Sequence, residues 1–178
     1  PERLRSVMGR YFEAMSEVLE RHGGSVEKYI GDAVMAVFGI PTMHEDDALR
    51  AVRAAWEMGD RLARLNQELE RDAGIALAAR TGVNTGEVVV GDGRLGGASI
   101  TGRAVNIAKR LEQAARPGEV LVGEQTWEHV RAAVRGEQLE PLTIKGARGP
   151  VGAWRLLEVL PDAATERVAE VAFVGRVS

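Results

Sequence analysis

An α+β sandwich built on a split βαβ unit is the fold that this 178-residue sequence predicts, on three observations. Apolar residues recur three and four apart in three segments, two pairs of strand-like runs meet at glycine-containing turns, and the element order is helix, hairpin, helix, hairpin, helix, strand. Helices then lie over one sheet. The unit is missing its first strand, because the chain begins inside the first helix.

That helix is read from Leu4, Val7, Met8, Tyr11, Phe12, Met15, Val18 and Leu19, and Gly23-Gly24 stops it. Val26 and Ile30 before Gly31-Asp32, with Val34, Met35, Val37 and Phe38 after it, predict two buried strands joined by a tight turn. After Pro41, Thr42 and Glu45 have capping-box spacing, and Asp46 and Asp47 put negative charge in the first turn of a long helix that runs to about Arg71. Its buried stripe is expected at Ala48, Val52, Ala55, Trp56, Gly59, Leu62, Leu65 and Leu69. Alternation over residues 75–83, then Asn84-Thr85-Gly86, then residues 88–90 predict a second hairpin, followed by a flexible loop over 91–97. A third helix over 103–115 turns Ala104, Ala108, Leu111 and Ala115 inward and ends at Pro117-Gly118. A short strand at 120–122, a brief helix near Thr126, and strands over 139–144 and 153–159 around a turn at 145–150 close the domain.

Composition narrows the function classes. Hydrophobic residues at 45% and charged residues at 28% give a globular balance that argues against wholesale disorder. A net charge of -3 offers no basic footprint, so nucleic acid is not an expected partner. The absence of cysteine removes disulfides, thiolate zinc sites and cysteine nucleophiles together, and fits a reducing compartment, so a cytoplasmic location is expected. The longest uncharged run, residues 33–44, is too short to span a bilayer and contains Pro41, so no membrane contact is expected of this segment. His22, His44 and His129 lack metal-ligand spacing and receive no role.

Three places carry candidate chemistry. Asp32 puts a carboxylate on a turn between apolar arms; a hard divalent ion would satisfy it, and so would an ordinary turn in which glycine supplies positive φ and the acid caps the backbone. Asn106 and Arg110 stand four apart on the third helix, away from the Ala104, Ala108 and Leu111 stripe. Their amide and guanidinium suit a ribose oxygen and a phosphate, against the plain alternative of a solvated helix face. Finally, only Lys28, Lys109 and Lys145 are lysines among 23 basic residues. A site that needs a compact ammonium does not accept an arginine fork, although three lysines can also simply escape a compositional bias.

Four motifs occur in order: Gly23-Gly24 with Glu27-Lys28-Tyr29-Ile30-Gly31-Asp32-Ala33-Val34-Met35-Ala36-Val37-Phe38-Gly39; Arg80-Thr81-Gly82-Val83-Asn84-Thr85-Gly86; Ile100 to Glu112; and Leu142-Thr143-Ile144-Lys145-Gly146. Together they resemble the class III adenylate/guanylate cyclase catalytic domain over residues 4–159. The resemblance implies a ferredoxin-like sandwich of the nucleotide cyclase type. It also implies an adenylate cyclase that converts ATP to 3′,5′-cyclic AMP and pyrophosphate for intracellular signalling, by a two-metal mechanism with Mg²⁺ or Mn²⁺. By the same resemblance Asp32 is a metal ligand, Lys28 reads the purine, Ser99 falls on its partner position where relatives carry Asp or Thr, and Lys145 meets the triphosphate. Asn106 and Arg110 fall on the transition-state pair. The implied assembly is a homodimer, or a pseudo-heterodimer with another cyclase domain, in which that pair comes from the opposite protomer.

Two departures accompany the resemblance. The first strand of the family, which carries the other metal aspartate, has no counterpart: Glu2, Glu13, Glu17 and Glu20 all belong to the first helix. One aspartate ligand of two is present, so the segment alone is expected to be inactive, as a piece of a longer polypeptide or as a natural truncation. Residues 1–160 are expected to form the catalytic domain and 161–171 a linker, while Phe173-Val174-Gly175-Arg176 within 172–178 resembles the opening of a P-loop ATPase module. The alternative function is a catalytically silent cyclase-like module that binds nucleotide or pairs with another domain. A diguanylate cyclase is set aside, since Ile30-Gly31-Asp32-Ala33 does not supply a Gly-Gly-Asp/Glu-Glu-Phe turn.

Overall fold

A computed structural model describes residues 2–91, 99–145 and 148–162. In chain order the elements are α1 (Glu2–Arg21), β1 (Ser25–Ile30), β2 (Ala33–Val37), α2 (Asp47–Ala73), β3 (Thr81–Val83) and β4 (Val89–Val90). They continue with β5 (Ile100–Thr101), α3 (Arg103–Ala114), β6 (Val120–Gly123), α4 (Glu124–Val130), β7 (Val134–Gln138) and β8 (Ala153–Val159). The strands form a four-stranded sheet in the order β3-β6-β8-β7 and two antiparallel ribbons, β1-β2 and β4-β5. β3 and β6 are parallel, so the chain crosses over through α3 between them.

Alternation on β6 organises the centre. Val120 and Val122 pack with Val52 and Ala55 of α2, Val130 of α4 and Leu156 of β8, whereas Leu121 on the other face packs with Leu111 and Ala115 at the α3 end. All four β6 residues are buried. The C-terminal half of α2 meets α1 instead, with Leu62, Leu65 and Leu69 against Val7, Ala14 and Met15. α1 closes as its glycines predict: the Gly24 N–H donates to the Leu19 carbonyl at 2.9 Å, a 6→1 bond that only a reversing chain can make. Beside the sheet, Trp127 and Trp154 stack with ring centroids 5.4 Å apart and planes 5° from parallel.

Several sequence expectations are corrected. The two arms around Gly31-Asp32 form the predicted hairpin but are not buried strands: no β1 or β2 residue is fully buried, and Tyr29 and Ile30 are 50% and 54% exposed. One face of the ribbon, including Val26, Val34 and Ala36, packs on Val18, Leu19 and Ala54 of the helices, and the other face meets solvent. The Thr42/Glu45 capping box does not form. Instead the Asp47 carboxylate accepts from the His44 N–H at 2.6 Å and pairs with Arg50 at 2.7 Å, which tethers the start of α2 from inside its first turn. On α2 the stripe holds at Val52, Ala55, Leu62, Leu65 and Leu69, but Trp56 and Gly59 are exposed and Ala54 is buried. The helix packs on two surfaces, α1 and the sheet, so its apolar band is wider and differently centred than a single stripe.

The second hairpin is also absent. β3 covers only residues 81–83 and pairs with β6, while β4 pairs with β5, so the two runs flanking Asn84-Thr85-Gly86 belong to different sheets. Ile75, Leu77 and Ala79 point into the α1/α2 core without strand pairing, and the Leu77 backbone is held on both sides by the Asn66 amide at 2.8 Å. The strand expected over 139–144 shrinks to a single bridge between Leu142 and Val151, and the partner of β8 is β7. β7 exposes Arg135, Glu137 and Gln138 and buries only Val134, a polarity that hid it from periodicity. The loop expectation over 92–97, and the linker and ATPase-like run from residue 163 onward, lie outside the described residues.

Candidate active site

The geometry of the Asp32 turn follows from its glycine. Ile30 and Ala33 face one another across a two-residue loop, Gly31 has φ 62°, and no non-glycine residue among the described residues has positive φ, which is the sign pattern of a type II′ hairpin turn. Asp32 therefore occupies the second loop position at the tip of the ribbon, exposed to water. Because the arms are not buried as expected, hydration stabilises this carboxylate where it stands. The half-buried Tyr11 phenol is pushed above its ordinary pKa, first by loss of solvent and then by the negative charges of Asp32 and Glu112. Tyr11 thus stays protonated at neutral pH and lies within electrostatic reach of both acids.

Lys28 and Ser99 approach one another through their neighbours. β1 carries a bulge: Val26 pairs with Ala36 and Lys28 with Met35, leaving Glu27 as the extra residue. Glu27 reaches across to β5, where its Oε1 accepts from the Ile100 N–H at 3.2 Å. Ser99 is held from the other side, its carbonyl accepting from the Gly91 N–H at 2.8 Å. Both Lys28 and Ser99 are exposed. The sequence reading missed Glu27; its only signal there is an acid inside an apolar strand-like run, next to one of the three lysines.

α3 is seated by close backbone packing. A Cβ on Gly82 of β3 would lie 2.2 Å from the Ala108 carbonyl, so only glycine allows strand and helix to meet at this distance. The Asn84 amide donates to the Ala104 carbonyl at 3.1 Å, and the Thr85 and buried Thr126 hydroxyls share a bond of 2.9 Å. These polar residues of the second motif are therefore anchors for α3 and α4. Ala104 and Leu111 are buried and Asn106 and Arg110 exposed, as their spacing predicts. Glu112 faces Arg80 at 3.2 Å. Among the described residues, Arg110 makes no ion pair.

Lys145 is exposed in the turn between Leu142 and Val151, which bridge to each other. Within one chain the structure thus bonds the neighbours of Lys28 and Ser99 to each other, and among the described residues no hydrogen bond or ion pair joins Asp32, Lys145 or the Asn106/Arg110 pair to Lys28 or Ser99. The donor set for metal is small. Asp32 suits one hard ion whose remaining ligands are phosphate and water oxygens, but no cluster of three or more His, Cys, Asp or Glu capable of holding an ion exists among the described residues. No helix among the described residues is long and apolar enough to cross a membrane.

The chain resembles known proteins over most of its length. A family described as the adenylate and guanylate cyclase catalytic domain matches residues 1–158. The adenylyl cyclase CyaB from P. aeruginosa superposes with TM-score 0.85 and 28% identity over 91% of this chain and 86% of its own. The guanylyl cyclase Cya2 superposes with TM-score 0.85 and 32% identity over 92% and 84%. An adenylate cyclase of Mycobacterium tuberculosis (strain ATCC 25618 / H37Rv) is 27% identical over 98% of this chain. The chain spans between 23% and 39% of the length of the curated relatives it matches. With its α+β fold and the family match over nearly the whole described length, the chain belongs to the class III adenylate and guanylate cyclase catalytic domains.

Proposed function

We propose that this domain cyclises ATP to 3′,5′-cyclic AMP and pyrophosphate, in the cytoplasm, at an interface between two cyclase domains. The observation that carries the reading is segregation: Lys28, Ser99 and Asp32 are exposed around two ribbons, Asn106 and Arg110 are exposed on α3, and among the described residues no hydrogen bond or ion pair links the one set to the other. A second domain would bring its α3 pair over the ribbons of the first. Exposed Tyr29 and Ile30 of β1 and Val89 and Val90 of β4 lie on the ribbons themselves and supply apolar area for such an interface.

In this reading the Lys28 ammonium donates to adenine N1, where guanine presents a donor of its own, and the Ser99 hydroxyl accepts from the adenine amino group. Lys145 pairs with the triphosphate. The Asn106 amide orients the ribose so that its 3′-oxygen faces the α-phosphorus, and the Arg110 guanidinium stabilises the negative charge that grows there. The bond formed joins that oxygen to phosphorus; the bond broken releases pyrophosphate, and the ribose proton leaves to solvent. A divalent ion at Asp32 would supply charge neutralisation on the phosphate oxygens.

The test uses the full-length polypeptide with Mn²⁺ and ATP. Asp32→Ala and Arg110→Ala should each lower cyclic AMP formation by about a hundredfold or more. Mixed in equal amounts they should recover about a quarter of wild-type activity, because half of the dimers then contain one intact site of two. Equal product from wild type and Asp32→Ala would reduce the domain to a nucleotide-binding or pairing module.

A further inference from the structure

We propose that Glu27 is a positioning residue for base selection, a strap that fixes Ser99 relative to Lys28. The proposal rests on the cyclase reading above and extends it to a residue that contacts no substrate. β4 and β5 pair so that the Ser99 carbonyl points toward Gly91. In an antiparallel ladder the next N–H then points the opposite way, so the Ile100 amide leaves the outer edge of β5. An edge donor needs a partner. Glu27 provides it, accepting at 3.2 Å in a half-buried position, while the Ile100 side chain is 3% exposed and anchors that end.

The bulge is what allows this reach. With Glu27 inserted between the Val26 and Lys28 pairings, its side chain is released from strict alternation and can leave the β1-β2 ribbon for the neighbouring one. Among the described residues this is the one hydrogen bond or ion pair between the two ribbons. Each end of the strap is one residue from a proposed base-reading side chain: Glu27 precedes Lys28, and Ile100 follows Ser99. Two polar groups discriminate adenine from guanine only when their separation is fixed, so a charge-assisted bond at this point converts two exposed side chains into one recognition unit.

The experiment compares wild type, Glu27→Ala and Glu27→Gln in the full-length polypeptide, where Gln keeps a carbonyl acceptor and removes the charge. Amide exchange at Ile100 is read without nucleotide, and binding of ATP and GTP is read by calorimetry. Glu27→Ala should speed Ile100 exchange about tenfold and narrow the ATP-over-GTP affinity ratio about tenfold, while Glu27→Gln should retain most of both. In turnover, Glu27→Ala should raise KM for ATP with a smaller effect on kcat. If wild type prefers ATP and Glu27→Ala leaves exchange or the ratio unchanged, or if Gln fails as badly as Ala, the strap is overturned alone. If wild type binds neither nucleotide, the cyclase reading falls and takes the selection role with it.

Discussion

In the proposed reaction, base choice falls to Lys28 on an exposed strand. Exchanging its ammonium for a carboxylate turns a donor to adenine N1 into an acceptor for guanine N1–H. Lys28→Glu should therefore move the ATP:GTP preference toward GTP by at least about tenfold, measured with both nucleotides in competition. An unchanged ratio would remove Lys28 from base recognition. Single residues were the most legible level of this sequence where a motif named them: the outward placement of Asn106 and Arg110 follows from spacing and the turn at Asp32 from turn chemistry, whereas the exposure of Lys28 runs against the buried strand expected there. Glu27 was not legible. A bulge is a decision between two strands, and neither strand alone records that one residue will be left over.

Among the elements, α3 shows how a segment read as a hairpin turn instead seats a helix. Gly82 sits where a methyl group would meet the Ala108 carbonyl at 2.2 Å and the Glu112 nitrogen at 2.6 Å, both backbone atoms of a helix that cannot swing aside. Gly82→Ala should cost about 1–3 kcal/mol, seen as a lower urea midpoint with an unchanged m value, and should lower kcat by displacing the helix that carries Asn106 and Arg110. Element type and order were readable because α1, α2 and α3 each have a sustained apolar period. Pairing was not: the run 75–83 alternates like a strand, yet most of it packs against helices, and only residues 81–83 find a partner, β6, some forty residues away. Alternation reports a half-buried extended chain, and extended chain need not be sheet.

Across the whole molecule, acid sensitivity is set by carboxylates that folding holds charged. The Glu119 carboxyl is lowered below the usual 4.5, first by the Arg116 N–H bonded to it at 2.9 Å and then by Arg155; Glu57 is lowered first by its bond to His22. A depressed folded-state value means the stabilisation is complete above the unfolded carboxylate value and is lost as pH falls through the folded one. The melting temperature should accordingly fall between about pH 5 and pH 3, and Glu119→Gln should flatten that limb while lowering the neutral plateau. A different whole-molecule property comes from the tryptophans. Trp127 and Trp154 lie flat against one another beside the sheet, whereas Trp56 looks outward from α2 at 37% exposure. Indoles that close share their excited states, so near-ultraviolet dichroism follows the α4–β8 junction, while acrylamide quenching follows the outer surface of α2. The unlabelled chain thereby carries two optical channels, one for the integrity of the sheet and one for whatever settles on the long helix.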